Sequence, residues 1–403
     1  MIGWVERDSW MKFLSIVKWL NIIYNNPTLN IISIMNDISI IGTGLWYPEE
    51  LTTNKEIVDS FNTYVDNFNI ENASLIESGK IKARSHSSEE FILKASGIKT
   101  RRIIDKKNSL DPNIMRPITD NEDESKLSFL AKVGIEAAKK AMSEANISAD
   151  QIDGVILGTS HSGRNYPAVA IEIQEELGID GYAYDMLVGC SSTTFALSNA
   201  YTDIASGMAD TILVINPEIT SPGFNFTNRD VHFIFGDGCV ATILQRSNNS
   251  GYKIIDRKLV TKFSNNIRSN LSYLNRTASD QKTEDELLFY QNGRSVFKEV
   301  CPLVAKTILE QLSKNSISPN EISKFWLHQA NGKMIRLIVS KVLGTDTFDE
   351  DLAPLPMKDF GNLASAGSMF AFNLYNDLKK GEKGIICSFG AGYSIGSLIV
   401  EKN

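Results

Sequence analysis

The stretch Tyr184-Asp-Met-Leu-Val-Gly-Cys-Ser-Ser-Thr-Thr-Phe-Ala-Leu197 predicts an extended strand, a tight turn and a helix, in that order. The turn falls at Gly189-Cys190, which places the Cys190 thiol at the N-terminus of a helix. The macrodipole and the free backbone amides at that end of a helix favour a thiolate. We therefore predict that Cys190 is a nucleophile, although most buried cysteines are only small apolar residues.

A histidine and an asparagine later in the chain complete a candidate catalytic set. His328 ends the apolar run Trp326-Leu-His and begins a polar turn, as functional residues often do in open α/β sheets. Asn362 lies in the small-residue segment Phe360-Gly-Asn-Leu-Ala-Ser-Ala-Gly367. Cysteine, histidine and asparagine in this order indicate nucleophilic catalysis on an acyl group. His328 and Asn362 could together hold a carbonyl oxygen on which negative charge develops.

A glycine-rich segment near the C-terminus, Ser388-Phe-Gly-Ala-Gly-Tyr-Ser-Ile-Gly396, has two interpretations. It could cradle a phosphate, but it lacks the lysine of a P-loop and the spacing of a dinucleotide-binding turn. Glycine-rich backbone beside a thiol could instead supply an amide to an oxyanion hole.

Composition disfavours several classes of protein, although an acidic chain can still bind an acidic partner through a local basic patch. The 403 residues carry a net charge of −7, whereas nucleic-acid-binding proteins are usually basic. The 4 cysteines contain no CxxC pair, so neither a disulfide framework nor a zinc site is expected, and a reducing cytoplasm is the predicted location. Residues 1–34 contain an apolar run with two lysines that is too short and too charged for a transmembrane helix. This extension is expected to be poorly ordered, and the alternative is a weak membrane-surface helix.

Short β-rich runs alternate with helical patterns through the rest of the chain, which predicts an α/β fold. The strand candidates are Ile38–Gly42, Gly154–Gly158, Thr211–Ile215, Cys239–Leu244, Lys324–His328 and Gly384–Phe389. The helix candidates are Ser128–Ala145, Ser192–Gly207, Ser295–Ser313 and Met334–Leu343, with a helical turn beginning at Ser318-Pro-Asn-Glu321.

The pattern divides the chain into two similar halves, residues 35–245 and 246–403. Each half contains a helix, then a run such as Ile152-Asp-Gly-Val-Ile-Leu-Gly158 or Ile322-Ser-Lys-Phe-Trp-Leu-His328, and then a turn with candidate functional residues. The loop Ser247-Asn-Asn-Ser-Gly251 marks the predicted boundary. A polar segment over about 54–124 is predicted to be a helical insertion that covers the first half.

From about Met35 to its end, the chain resembles the β-ketoacyl-ACP synthase III family of the thiolase superfamily. Motifs in the family's order carry this resemblance over about nine-tenths of the chain. They are Ile41-Gly-Thr-Gly, Ser96-Gly-Ile-Lys-Thr-Arg-Arg, Gly189-Cys190, Phe235-Gly-Asp-Gly, Asn292-Gly-Arg-Ser-Val-Phe-Lys, His328-Gln-Ala-Asn, Gly361-Asn362 and Phe389-Gly-Ala-Gly.

The resemblance implies a five-layer αβαβα thiolase-like fold, a homodimer and a decarboxylative Claisen condensation. Cys190 would take an acyl group from a thioester, and malonyl-ACP would follow. His328 and Asn362 would stabilise the enolate as carbon dioxide leaves, and the backbone amides of Cys190 and Ala391 would form the oxyanion hole. Asn331 would support the histidine through a water. The expected substrates are acyl-CoA or acyl-ACP and malonyl-ACP, with no cofactor, metal, nucleic acid or stable membrane insertion.

The substrate contacts that the resemblance implies depart from the family's pattern. Phe91 stands where the family has a tryptophan that stacks on the adenine of coenzyme A, and Ala95 stands where it has an arginine. Arg229 matches a basic residue at the mouth of the coenzyme site. Tyr166 matches a residue that reaches across the dimer and limits the acyl pocket.

Lys333 and Arg336 share one face of a predicted helix and could meet an acidic carrier protein, although an ordinary solvated face would look the same.

The insertion Phe61–Asn72 resembles a branch of the family that takes longer primers, including dialkylresorcinol-type enzymes that use β-ketoacyl thioesters. A non-catalytic scaffold subunit of a heteromeric synthase is a further alternative. Thiolases are disfavoured because the chain has no Gly-His-Pro segment, and synthases of the hydroxymethylglutaryl type because no catalytic glutamate can be placed. A papain-like hydrolase should have its cysteine near the N-terminus beside an aromatic residue, whereas Cys190 precedes Ser-Ser-Thr-Thr.

Overall fold

A computed structural model describes residues 37–119, 126–246, 250–277, 279–280 and 282–403. The predicted extension over 1–34 lies outside these residues, as does most of the predicted boundary loop. Among the helices that the structure describes, none has the length and apolar composition needed to span a bilayer. All four cysteines are described, and all four are free thiols.

Nine strands form a mixed central sheet in the order β11-β12-β13-β8-β1-β7-β6-β4-β5. Two short pairs, β2 with β3 and β9 with β10, lie apart from it. The strands are β1 (Ile38–Trp46), β2 (Leu51–Thr53), β3 (Thr100–Arg102), β4 (Gly154–Thr159), β5 (Tyr182–Leu187), β6 (Thr211–Glu218), β7 (Gly238–Arg246), β8 (Tyr252–Ser264), β9 (Ile267–Arg268), β10 (Tyr290–Gln291), β11 (Ile322–Leu327), β12 (Lys383–Gly390) and β13 (Gly392–Lys402).

In the described residues, some helices pack on the outer faces of this sheet and others pack between its two halves. They are α1 (Asn54–Glu71), α2 (Ala73–Glu77), α3 (Glu89–Ser96), α4 (Lys106–Ser109), α5 (Phe129–Ala145), α6 (Val169–Leu177), α7 (Ser192–Ser206), α8 (Glu284–Leu287), α9 (Gly293–Lys314), α10 (Gly332–Leu343), α11 (Met357–Phe360) and α12 (Gly367–Leu374).

Three apolar clusters define five layers. One cluster packs α5 and α6 on strands of the first half, through residues such as Ala137 and Ile173. Another packs α9 and α10 on strands of the second half. Between them, apolar side chains of α7 and α12 pack against strands of both halves, with Val214 and Trp326 in the same cluster. The αβαβα layers expected from the sequence are therefore present, with α7 and α12 in the central layer.

The predicted strands and helices are confirmed, with most of their ends shifted by a few residues. The glycine-rich segment 388–396 is different, because it is not a loop throughout. It forms the turn between β12 and β13, which pair antiparallel from Gly390 with Ser394 to Lys383 with Glu401. Strand β8 was not predicted, because its burial pattern is mixed and offers no regular alternation.

The predicted insertion contains α1 to α4 in its described part. A fourth apolar cluster joins it to the segment that precedes β7, with Phe61 and Ile92 packed among Phe224, Phe226 and Phe233. The insertion therefore covers the first half beside the end of the central sheet. The division at residue 245 stays a prediction, and β1 pairs with both β7 and β8 across it.

Candidate active site

Cys190 lies in a single 3₁₀ turn, Gly189–Ser191, between β5 and α7. Gly189 has a φ of +54°, a backbone conformation that favours glycine. Ser192 fixes the turn, because its hydroxyl accepts a hydrogen bond of 2.8 Å from the amide of Val188. The strand, turn and helix predicted around the thiol are therefore present.

The turn between β12 and β13 closes over this thiol. A Cβ atom on Gly390 would lie 2.6 Å from Cys190 Cβ and 3.1 Å from Cys190 Sγ, so only glycine fits there. The backbone amides of Ala391 and of Cys190 itself both act on the sulfur and lower its pKa in part. This geometry fits the oxyanion-hole interpretation of the glycine-rich segment and leaves no room for a phosphate at Gly390.

The thiol is nevertheless not a thiolate at neutral pH. Burial raises the pKa of Cys190 to about 12, and the nearby carboxylate of Glu218 also raises it. The backbone amides still lower the pKa of Cys190, as predicted for the helix N-terminus. The dipole and the two amides act in the predicted direction, but desolvation of a charged sulfur outweighs them.

His328 follows β11 and continues its hydrogen bonding, since its amide donates to the carbonyl of Cys387 over 2.8 Å. The side chain is buried, and its ring packs edge-on against Phe389, with 5.2 Å between ring centroids. Burial lowers the pKa of His328 to about 4. The imidazole is therefore neutral at physiological pH, and a neutral imidazole still donates one N–H hydrogen bond.

Asn362 is held in place by both its backbone and its side chain. The backbone forms an isolated parallel bridge with Phe235, and the Asn362 amide donates to the carbonyl of Ile234 over 2.9 Å. The side-chain oxygen Oδ1 accepts a hydrogen bond of 3.0 Å from the amide of Ala364. This bond fixes the identity of Oδ1, so that Nδ2 remains as the donor.

Cys190, His328 and Asn362 line one narrow apolar pocket with a cavity volume of about 50 Å³. Its other walls are mostly apolar, with Phe235, Ile267, Phe289, Val296, Val300, Met334 and Phe389 among them. An outer pocket with a cavity volume of about 250 Å³ adjoins it, and Asn362, Ala330 and Met334 line both. A thioester can therefore reach the thiol through the outer pocket, with its acyl chain in an apolar environment.

Asn331 lines the outer pocket, and the hydrogen bonds of its side chain go to residues of α10 and α3. Its Oδ1 accepts from the amide of Lys333 over 2.9 Å and so caps α10. Its Nδ2 donates to the carbonyl of Ala95 over 2.7 Å. The hydrogen bonds of this amide therefore tie α10 to the end of α3.

Phe91 and Arg229 are brought together, but away from Cys190. The Arg229 guanidinium lies over the Phe91 ring at 3.9 Å, and its Nε donates to the carbonyl of His86 over 2.7 Å. Arg229 and Arg84 line a polar cavity of about 440 Å³ beside the insertion, and Asp230 lines both this cavity and the outer pocket. The structure thus pairs Phe91 and Arg229 with each other, and their contact with coenzyme A stays a prediction.

The remaining predicted contacts are on the surface. Tyr166 is 85% exposed and lies outside the pocket of its own chain. Lys333 donates from Nζ to the carbonyl of Lys94 over 2.7 Å, and Arg336 forms an ion pair with Glu350 at 2.6 Å. Both cations lie on α10, whose N-terminus borders the outer pocket.

Sequence reasoning missed Glu218, the last residue of β6. Its side chain is buried, and its Oε1 accepts hydrogen bonds from the amides and the hydroxyls of Ser160 and Ser365. Burial raises the pKa of Glu218 to about 7, although these hydrogen bonds lower it in part. The predicted strand ends at Ile215, three residues before Glu218, so the strand-end position that singles out His328 does not draw attention to Glu218.

Comparisons with known proteins identify the family. Residues 184–262 match the model described as 3-oxoacyl-[acyl-carrier-protein (ACP)] synthase III, and residues 312–402 match the model of its C-terminal domain. A β-ketodecanoyl-[acyl-carrier-protein] synthase of Pseudomonas aeruginosa is 45% identical over 351 residues, which are 86% of this chain and 100% of that protein. The chain belongs to the β-ketoacyl-ACP synthase III family.

Other relatives agree with this assignment. A β-ketoacyl-[acyl-carrier-protein] synthase III of Clostridium perfringens is 28% identical over 334 residues, covering 81% of this chain and 95% of that protein. The crystal structure of the synthase III of Aquifex aeolicus has a TM-score of 0.70 at 24% identity, covering 90% of this chain and 99% of that one. The priming β-ketosynthase of the R1128 polyketide pathway has a TM-score of 0.72 at 22% identity, covering 91% and 96%.

Family membership confirms the predicted thiolase-like fold and the predicted class of reaction. The chain is a condensing acyltransferase, a ketosynthase that joins an acyl primer to malonyl-ACP in fatty acid or related synthesis. An acyl carrier protein is accordingly its partner.

Proposed function

We propose that Cys190 carries the acyl primer and that His328 and Asn362 act on the malonyl thioester. The observation that carries this proposal is the single apolar pocket that these three side chains line. The Cys190 sulfur attacks the thioester carbonyl, the carbon–sulfur bond of the donor breaks, and the donor thiol leaves with the proton. The amides of Cys190 and Ala391 stabilise the oxyanion of that step.

The second half-reaction uses the other two polar side chains of the pocket, His328 and Asn362. Malonyl-ACP loses carbon dioxide, and the electron pair of the broken bond forms an enolate on the thioester. A neutral His328 and the Asn362 Nδ2 group each donate a hydrogen bond to the enolate oxygen. The enolate carbon then attacks the acyl carbonyl, and the bond to Cys190 Sγ breaks to release β-ketoacyl-ACP. The departing sulfur leaves as a thiolate, which takes up a proton from solvent and so returns to the thiol. No step calls for a metal or a cofactor.

We propose an octanoyl primer. A β-ketodecanoyl product is two carbons longer than octanoyl, and the relative of that name is 45% identical to this chain. The apolar lining of the inner pocket suits an alkyl chain, and burial of each methylene contributes about 0.8 kcal/mol. This proposal agrees with the longer-primer branch predicted from the insertion, whereas a β-ketoacyl primer would place a second carbonyl among apolar side chains.

The half-reactions can be separated by intact-protein mass spectrometry. Wild-type protein should gain one octanoyl mass from octanoyl-CoA or octanoyl-ACP, and the carrier that loads faster is the natural donor. Cys190→Ala should gain none, whereas the control Cys301→Ala, a buried thiol of α9, should load normally. Normal loading of Cys190→Ala would refute the assignment. Absence of loading in the wild type would favour the scaffold alternative.

A homodimer is proposed from the first half of the sheet. Strand β5 is an edge strand with unpaired backbone groups, and two large apolar side chains beside it are exposed, Leu187 at 57% and Tyr166 at 85%. A two-fold axis would pair β5 with β5 of a second copy, which would cover both side chains. Analytical ultracentrifugation should find a dimer for the wild type and a monomer for Leu187→Lys. A wild-type monomer with full activity would refute the dimer.

The carrier protein is proposed to dock at α10. Lys333 and the neighbouring Lys94 form a basic surface next to Asn331, which lines the outer pocket. Arg336 lies further along α10, in an ion pair with Glu350. Carrier proteins that are acidic would be attracted to this basic surface. Lys333→Glu should raise KM for malonyl-ACP while leaving loading from octanoyl-CoA unchanged. An unchanged KM for malonyl-ACP would refute docking of the carrier protein at this surface.

A further inference from the structure

We infer that Glu218 is a positioning residue for condensation, which fixes the loop that carries Asn362 by binding Ser365. The inference rests on the proposed function, because Asn362 is assigned there to the malonyl half-reaction. Glu218 lies in neither pocket, so it acts through other residues and does not touch substrate.

The path from Glu218 to Asn362 consists of short local contacts. The amide of Ser365 donates to Glu218 Oε1 over 3.2 Å, and the Ser365 hydroxyl donates to the same oxygen. The preceding residue, Ala364, has a φ of +42°, which is strained for a residue other than glycine. The amide of Ala364 holds Asn362 Oδ1 at 3.0 Å. The bonds to Glu218 therefore help to keep Ala364 in the conformation that orients the Asn362 amide.

The same loop is tied to the helix that follows the nucleophile. The hydroxyl of Thr193, in the first turn of α7, donates to the carbonyl of Ser365 over 2.7 Å. Ser365 is thus held on one side by Glu218 and on the other by α7. This arrangement fixes the Asn362 loop relative to Cys190, which the attack of the enolate on the acyl group requires.

Glu218 has a second pair of bonds that offers a matched control. The amide and hydroxyl of Ser160 donate to the same Oε1 atom, over 2.9 and 3.0 Å. Ser160 belongs to the loop after β4 and not to the loop of Asn362. Ser365→Ala and Ser160→Ala therefore each remove one hydroxyl from the same carboxylate, but only Ser365→Ala loosens the Asn362 loop.

Neutralising Glu218 separates a positioning role from simple loss of structure. The Glu218 carboxylate raises the pKa of Cys190, so Glu218→Gln should make the thiol easier to deprotonate and should not slow acyl loading. Condensation should fall in the same variant, because a neutral amide binds Ser365 more weakly than a carboxylate does. Loss of structure would slow both half-reactions together.

The experiment measures octanoyl loading and single-turnover condensation with malonyl-ACP in the wild type, Glu218→Gln, Ser365→Ala and Ser160→Ala. Glu218→Gln and Ser365→Ala should load at least as fast as the wild type and condense at least about tenfold more slowly. Ser160→Ala should stay close to the wild type in both.

Equal losses of condensation in Ser160→Ala and Ser365→Ala would overturn the inference, as would parallel losses of loading and condensation. If Glu218→Gln does not fold, the two serine variants decide alone. Failure of the wild type to load or to condense would refute the proposed function itself, so the two failures are distinguishable.

Discussion

The two helices of the central layer begin in the same way but present different chemistry. A 3₁₀ turn, Gly189–Ser191, precedes α7, and another, Ala364–Ala366, precedes α12, and the two turns are in contact. The first turn contains the thiol. The second contains no group that lines the inner pocket, and its Ala364 amide instead orients Asn362 just before it. One turn supplies a nucleophile and the other positions a hydrogen-bond donor.

Each half of the chain completes the site of the other. The thiol of the first half is covered by the β12–β13 turn of the second half, where a Cβ on Gly390 would collide with Cys190. Asn362 of the second half is bridged to Phe235 of the first. The catalytic site is therefore formed only where the two halves of the chain meet, although the halves resemble each other in secondary structure.

The two sides of the pocket are alike in being uncharged. Burial raises the pKa of Cys190 to about 12 and lowers the pKa of His328 to about 4. A thiolate–imidazolium pair, as in papain-like hydrolases, is therefore not the resting state. Activation of the sulfur has to come from the amides that stabilise the oxyanion as the thioester is attacked.

The largest effect should come from removing one of the two hydrogen-bond donors to the enolate, Asn362 or His328. Asn362→Ala and His328→Ala should each lower single-turnover condensation by about 10² to 10³, because each removes one donor to the enolate oxygen. Octanoyl loading on Cys190 should be unchanged in both. The control Asn373→Ala removes an asparagine of α12 that donates to the Thr43 hydroxyl, and it should condense normally. Loss of loading, with condensation from preloaded enzyme intact, would refute these roles.

The uncharged state of the Cys190 thiol can be tested by the pH dependence of its alkylation. With a pKa of about 12, the thiolate fraction of Cys190 rises about tenfold per pH unit across the measurable range. Alkylation of the Cys190 peptide by iodoacetamide should therefore accelerate about tenfold per unit from pH 7 to 10, without a plateau. A plateau near pH 8 would show that the helix N-terminus outweighs burial.

The position of the primer's alkyl chain can be tested by a substitution in the wall of the inner pocket. Phe289 lines the inner pocket and packs edge-on against Phe235, with 4.8 Å between ring centroids. Phe289→Ala should open this wall and shift the kcat/KM ratio several-fold toward primers longer than octanoyl, within the range that a few methylenes provide. Phe263→Ala, at an 86% exposed position of β8, is the control. An unchanged ratio would place the chain elsewhere.

The smallest effect concerns Asn331. Loss of its cap on α10 should lower the free energy of unfolding by about 1 kcal/mol, measured by urea denaturation, with little change in condensation. A loss of condensation as large as that of Asn362→Ala would instead support a role through a water at His328.

Sequence reasoning succeeded where local pattern and chemistry coincide. The apolar strands, the helix after Cys190 and the strand-end position of His328 follow from residue type and spacing alone. Asn362 was also singled out from its small-residue segment, and the family resemblance then added the amide of Ala391, because an alanine carries no local signal. All of these lie around one pocket in the structure.

What could not be predicted depends on contacts between distant segments. The thiol's raised pKa results from burial by β12, about two hundred residues later in the chain, and from Glu218. The stacking of Arg229 on Phe91 depends on how the insertion packs, which spacing does not reveal. Glu218 has no charged partner nearby in sequence, and its importance appears only when Ser160 and Ser365 converge on it.

The assignment of Cys190 as the residue that carries the primer into condensation is tested most directly by a single-turnover chase. Enzyme is loaded with octanoyl thioester, freed of donor and mixed with malonyl-ACP, and both proteins are followed by intact-mass spectrometry. We predict that the octanoyl mass, mapped to the Cys190 peptide, disappears as β-ketodecanoyl-ACP forms in equal amount. Release of free octanoic acid, or an adduct on another residue, would contradict it.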